Sequence, residues 1–177
     1  MRGRYYTVIN SPSESLSAEY GDQMNFVDSR ISSLLSDNKY MALATMDSKC
    51  MPWSCVVFYA YDNSYNVYFI SAVDAKHSIN ILSNGNVSAI IYDSSQGIGE
   101  TKELKLEGKA SIVKDDDLDA VIKLYAERIK SKSTGKDITA DYKKSDYSGP
   151  SEFKFFKIKV EKFYINNNGR SVTVPIG

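Results

Sequence analysis

The sequence predicts a mainly β fold, a barrel or sandwich of antiparallel strands decorated by helices. Three observations lead there. Six or seven segments carry the alternating or β-branched and aromatic pattern of strands. Most are joined by short polar turns, which suit antiparallel neighbours rather than the long crossovers of a doubly wound sheet. Only three segments show apolar residues at helical spacing.

Length and charge narrow the classes. At 177 residues the chain suits one domain with appendages. Apolar residues make up 42%, enough for a sizeable core. The 22 basic and 22 acidic residues cancel, so there is no basic excess to draw nucleic acid or an anionic membrane. No apolar run approaches the ~18–20 residues of a membrane span. The opening MRGRYYTVINSPSES lacks a signal peptide's apolar segment. The expected location is cytoplasmic. Cys50 and Cys55 are the two cysteines. On a strand they point to opposite faces, so they read as free thiols. Two thiols and one histidine fall short of the four ligands usual for zinc.

The elements follow in order. Residues 1–20, rich in Ser, Tyr and Glu, read as an N-terminal arm. The domain spans 21–166, and 167–177 is a C-terminal tail. Phe26 or Val27, Ile31, Leu34 and Leu35 space a first helix, with Asp22 as N-cap and Asn38 with Lys39 at its end. Tyr40–Met46 is a short apolar strand, followed by a turn at Asp47-Ser48-Lys49 that lacks the glycine of a strong signal. Met51–Tyr61 is long, β-branched and aromatic. Asp62-Asn63-Ser64 turns into the alternating strand Tyr65–Ser71. A helix at 74–83 and a turn at Asn84-Gly85-Asn86 lead to strand Val87–Asp93. Ser94–Glu100 is a loop. Thr101–Lys114 alternates, with Gly108 at a bulge or a close backbone approach. Asp115–Lys132 is a helix with Leu118, Val121, Ile122, Tyr125 and Ile129 on one face. Residues 133–150 form a long Ser/Lys/Asp/Gly loop. Phe153–Ile165 supplies one or two final strands.

One element carries a chemical question. The first and last helices open on acids and close on bases, matching the helix dipole. The middle helix does not. Asp74 is placed to cap it, but Lys76 and His77, the single histidine, then fall in its first turn. Cations there cost a few tenths of a kcal/mol unless an anion is present (~0.3–1 kcal/mol per charge). A bound anion resolves the conflict: backbone N–H groups, Lys76, His77 and the hydroxyl of Ser71 converge on it, and phosphate suits such a donor set. The other reading leaves Lys76 in solvent and His77 an ordinary surface residue. No Ser–His–Asp order supports acid–base catalysis by His77.

Several segments together resemble a known family. LLSDNKYMALATMDSKCMPWSCVVFYAYD, the Lys76-His77 pair, NILSNGNVS, ELKLEGKA and FFKIKVEKFYI follow, in order and spacing, the FMN-binding split-barrel proteins related to pyridoxamine 5'-phosphate oxidase. The resemblance covers roughly residues 22–166. It implies a six- to seven-stranded antiparallel split β-barrel of Greek-key type with about three flanking helices. It also implies a homodimer with FMN at the subunit interface. Carried over by position, Lys76 and His77 match the pair that grips the FMN phosphate, with Ser71 a hydroxyl on the same phosphate. Ile70 matches a neighbour lining the flavin. Trp53, Ser54, Cys55 and Val56 match the strand along the isoalloxazine ring, and Asn80 supports the phosphate end. The partner subunit's contacts are expected near Glu103–Leu106 and from the C-terminal part.

The sequence departs from the oxidases themselves. His77 stands where they carry lysine, and Cys55 where they carry arginine. Glu103 replaces a common glutamine, and NNNGRSVTVPIG lacks their Arg/Trp-rich closing motif. The implied function is therefore an FMN-dependent oxidoreductase or flavin reductase of open substrate, reduced by NAD(P)H or a redox partner. The alternatives are a non-catalytic flavin-binding protein, or the same barrel holding a deazaflavin or haem.

Overall fold

The computed structural model describes residues 29–97, 102–132, 142–167 and 170–175. The arm at 1–20, the proposed cap Asp22, and Phe26 and Val27 lie outside the described residues, as does the 133–141 half of the 133–150 loop.

The described part of the first helix, α1, covers 29–37. Ile31, Leu34 and Leu35 face the core, and the Asn38 side chain donates to Leu34 O at 2.9 Å, closing the last turn. The strands are β1 (Tyr40–Met46), β2 (Pro52–Phe58), β3 (Ala60–Tyr61), β4 (Val67–Ala72), β5 (Asn86–Tyr92), β6 (Glu103–Ile112), β7 (Phe153–Asn167) and β8 (Arg170–Pro175). The helices α2 (Lys76–Ser83) and α3 (Leu118–Lys132) complete the fold. All strand pairs are antiparallel, in the order β2-β1-β5-β6-β7-β4-β3, with β8 beside the far end of β7. This is the expected mainly β split barrel with three helices.

Differences from the sequence reading are local. The run Met51–Tyr61 breaks at Tyr59 into β2 and β3, because β2 pairs with β1 and β3 with β4. The segment Arg170–Pro175, read as tail, pairs with β7. The acidic start of the last helix is a separate 3-10 turn, Asp115–Asp117.

Two hairpins use one device. Asp47 accepts N–H bonds from Lys49 (2.9 Å) and Met51 (3.0 Å) on Oδ1, and Cys50 takes φ 62°. Asp62 accepts from Ser64 (2.9 Å) and Asn66 (2.9 Å) on Oδ1, and Tyr65 takes φ 60°. The carboxylate replaces the missing glycine by locking the left-handed residue into the turn.

The sheet curls around a core of Ile31, Leu35, Leu43, Phe69, Ile91, Leu104, Phe156 and Phe163. Each large side chain buried this way contributes about 1.5–3 kcal/mol. A second cluster lies on the other face of β4 and β7, where Tyr68 and Phe155 meet Leu118, Val121 and Tyr125 of α3. Gly108 sits at both expected features: the β6–β7 register shifts there, and an added Cβ would stand 2.3 Å from Lys159 O.

Candidate functional site: an open seam ending at the start of α2

Curling brings the two ends of the sheet together. β2 is an end strand and pairs with β1 alone among the described residues. In β4, Phe69–Ala72 pair with β7, while the β3 contact stops at Tyr68. β2 approaches β4 across this gap. Unpaired strand edges offer backbone N–H and C=O groups to a ligand.

The seam leads into the β4–α2 junction. Ala75 is the N-cap of α2 and makes no side-chain cap, so Asp74 does not take that role. Lys76 and His77 occupy the first two helical positions, and the first turn holds no acid. The first N–H groups of a helix lack intrahelical acceptors. The cation conflict read from the sequence is therefore present in the fold.

Its partners differ from the expectation. Lys76 Nζ lies 3.1 Å from Asp47 Oδ2 in the β1–β2 turn. His77 Nε2 lies 2.7 Å from Ser71 Oγ, and Ser78 Oγ donates to Ser71 Oγ at 3.1 Å. Ser71 is 7% exposed and Ser78 fully buried. Burial lowers the His77 pKa below its ordinary value. The Met51 backbone N–H, the Lys76 ammonium and the Lys49 N–H hold the Asp47 carboxyl below the usual range. The junction thus carries one paired cation, one imidazole pushed toward neutrality and a buried hydroxyl pair.

The remaining predicted residues are placed as follows. Asn80 is buried and donates to Thr45 Oγ1 at 3.0 Å, tying α2 to β1, while its Oδ1 has no partner. Trp53 and Cys55 pair with Thr45 and Leu43 and share their inward face. Trp53 remains 45% exposed at the open edge, and Cys55 packs against the core with its thiol pKa raised by burial. Ser54 and Val56 point outward, opposite Ala44 and Ala42. Ile70 is half-buried and packs on the α3 side of the sheet. The strand read as one ring-lining surface therefore presents two faces. Asp47 and Ser78 are site neighbours that the sequence reading did not single out. A capping acid in the turn before the Pro-Trp strand is the signal for Asp47; Ser78 carries none.

On the outward face, register rows run Val56–Ala42–Ile90–Lys105 and Ser54–Ala44–Ser88–Glu107. Small side chains floor two shallow concavities there, of about 470 and 490 Å³. Tyr40, Val56 and Tyr92 are exposed on the same face. Among the described residues, no cluster of His, Cys, Asp and Glu is placed to hold a metal ion. None of the described helices is long and apolar enough to cross a membrane.

An open antiparallel barrel whose seam ends at a lysine- and histidine-bearing helix start defines a split-barrel protein. Residues 27–167 match the family described as pyridoxamine 5'-phosphate oxidase, and the chain belongs to that family. No curated protein matches it in sequence. Among solved structures it is similar to HutZ, the haem storage protein from Vibrio cholerae. The TM-score is 0.62 with 20% identity, over 76% of this chain and 91% of that one. It is similar to a haem-binding protein from Mycobacterium smegmatis, with a TM-score of 0.64 and 17% identity over 82% of this chain. The match spans 56% of that longer protein. It is also similar to General Stress Protein 26 from Bacillus anthracis, with a TM-score of 0.58 and 16% identity, over 84% of this chain and 98% of that one. At these identities the likeness shows the fold.

Proposed function

We propose that the chain is an FMN-binding oxidoreductase that holds the flavin along the seam between β2 and β4. The observation that carries this reading is the seam itself: two strand edges that, among the described residues, do not pair with each other, closed at one end by a helix start bearing Lys76 and His77. FMN has matching parts: an anionic phosphate, a flat apolar ring and a polar pyrimidine edge. When bound, it supplies electron or hydride transfer at its ring N5.

The donor set fits the phosphate. Lys76, the His77 ring and the first N–H groups of α2 meet it, and Ser71 fixes the His77 ring from behind. The β2 backbone from Trp53 to Val56 takes the ring edge, and Trp53 and Ile70 border it. No protein acid or base is assigned. The reading includes a homodimer. The outward rows of small and apolar residues suit a second copy laid flat on this face, consistent with FMN at a subunit interface. NAD(P)H or a redox partner is the expected electron source, in the cytoplasm.

Haem is the second reading, favoured by two similar structures whose names say they store or bind it. Against it, the chain has one histidine, and its Nε2 is engaged by Ser71. The test is the absorbance spectrum of protein purified without added cofactor, repeated after FMN addition and desalting. Flavin bands retained at about one per chain support the proposal. A Soret band, or complete loss of FMN, overturns it in favour of haem, or of a deazaflavin or bare scaffold. NAD(P)H consumption by the loaded protein separates an enzyme from a non-catalytic flavin carrier.

A further inference from the structure

Lys76 is the fully basic side chain of the junction, and it is already engaged. Its Nζ lies 3.1 Å from Asp47 Oδ2. The two ends of this ion pair differ in freedom. The Asp47 carboxylate is anchored, because its Oδ1 accepts the N–H groups of Lys49 (2.9 Å) and Met51 (3.0 Å) and so builds the β1–β2 turn. Lys76 stands on a flexible four-carbon stem with its side chain 46% exposed. An arriving phosphate can draw Lys76 aside but cannot displace Asp47, and it meets a fixed negative charge beside the cation it needs.

We infer that Asp47 is a built-in competitor for Lys76, a residue that weakens phosphate binding so that the ligand exchanges instead of staying locked in place. This deepens the proposed function and rests on its phosphate site. Ligand binding must break or share the Asp47–Lys76 pair, and the pair re-forms on release. A flavin nucleotide held this way suits a protein that takes up and hands on its flavin.

Asp47→Asn isolates the charge, since an asparagine Oδ1 still accepts the two turn N–H bonds. The experiment titrates FMN and riboflavin, which lacks the phosphate, into wild type, Asp47→Asn, Lys76→Met and the double variant. Thermal unfolding of each checks the fold. Asp47→Asn should tighten FMN binding roughly two- to fivefold, the scale of one partly exposed ion pair. Riboflavin affinity should stay unchanged, and the gain should shrink in the Lys76→Met background. Weaker or unchanged FMN binding in a folded Asp47→Asn protein overturns the inference, making Asp47 a positioner or bystander. An equal change for riboflavin does the same, because the effect then runs through the fold. If wild type binds FMN no better than riboflavin, the phosphate-site reading itself fails.

Discussion

The hydroxyl of Ser71 and the imidazole of His77 meet at 2.7 Å, and this bond couples the ring's tautomer to the direction of the Ser71 proton. Ser78 donates to Ser71, so the Ser71 oxygen already accepts one bond and has a single proton to give. Its nearest acceptor is His77 Nε2, with the Ala72 carbonyl farther away at 3.3 Å. Where Ser71 donates to the Ala72 carbonyl, His77 Nε2–H donates to Ser71; where Ser71 donates to Nε2, the ring keeps Nδ1–H as its free donor. A neutral histidine in this form can donate to a phosphate oxygen without carrying charge.

The same burial makes stability depend on pH. The His77 pKa is lowered in the fold, so over the window just below its ordinary value of about 6.5 the unfolded chain binds a proton that the native protein does not. The contribution of a neutral His77 is complete above that value and is lost as pH falls toward the lowered native pKa. Urea unfolding at a series of pH values should show wild type losing stability relative to His77→Gln through this window. Parallel pH curves for the two proteins would rule the effect out. Saturating FMN should shrink the loss, because a phosphate favours the charged imidazolium.

Backbone approach gives a second expectation, at two glycines that differ in kind. At Gly108 a Cβ would stand 2.3 Å from Lys159 O, a backbone atom in the paired strand that cannot step aside. At Gly149 nothing lies within 4 Å, but φ is +56°. Gly149→Ala should cost about 1–2 kcal/mol from left-handed strain alone. Gly108→Ala should cost more, about 3 kcal/mol or above, by forcing β6 and β7 apart at the bulge. Unfolding midpoints with unchanged m-values measure both; an unperturbed Gly108→Ala protein would contradict the geometry.

Much of this architecture is legible in the sequence, and the reasons are specific. The alternation of Leu104, Leu106 and Ala110 marks the inward face of β6, and all three are buried. Gly108 holds the inward position between Leu106 and Ala110, where the register with β7 shifts. The turns at Asp47 and Asp62 are legible through their acids, whereas the left-handed residues Cys50 and Tyr65 carry no signal of their own, because the aspartate does the work glycine does elsewhere. The pairing of β8 is hidden: Val172, Thr173 and Val174 are β-branched, but so short a run does not name β7 as its partner. At the site, the clash between helix dipole and basic residues is visible in the local sequence. The Asp47–Lys76 pair is not, because only the curl of the sheet brings the first turn to the start of α2.

Arg128 makes a third case, at the end of α1. Its guanidinium donates to Leu35 O (2.5 Å), Asn38 O (2.6 Å) and Ser36 O (3.0 Å), the orphan carbonyls at the end of α1. It also lies over the rings of Tyr59 and Tyr61, at 5.6 and 5.3 Å. A cation at a helix C-terminus is favoured by the dipole, and a planar fork reaches three acceptors where an ammonium cannot. Arg128→Ala should cost about 2–4 kcal/mol, the scale of a broken part-buried charged network. Arg128→Lys should recover less than half of it. Calorimetric unfolding of both variants checks the order, and full recovery by lysine would reduce Arg128 to a simple charge.

The last expectation uses the one tryptophan as a reporter of the seam. Trp53 lies on the open edge strand, on the face it shares with Thr45, and is 45% exposed. A flavin laid along β2 must come close to it, so FMN should quench its emission in a saturable way. Riboflavin should quench as well but at higher concentration, because it lacks the phosphate. Lys76→Ala combined with His77→Ala should raise the FMN concentration for half-quenching at least tenfold, about 1.4 kcal/mol of lost phosphate contact, and leave riboflavin where it was. Lys76 gives up a part-exposed ion pair worth about 0–1 kcal/mol and His77 its bond to Ser71, about 0.5–1.5 kcal/mol, so thermal unfolding of the double variant checks that it still folds. Equal shifts for the two flavins would place the phosphate elsewhere. No quenching by either ligand would take the ring away from β2, because a bound flavin near an indole in this position cannot leave its emission unchanged.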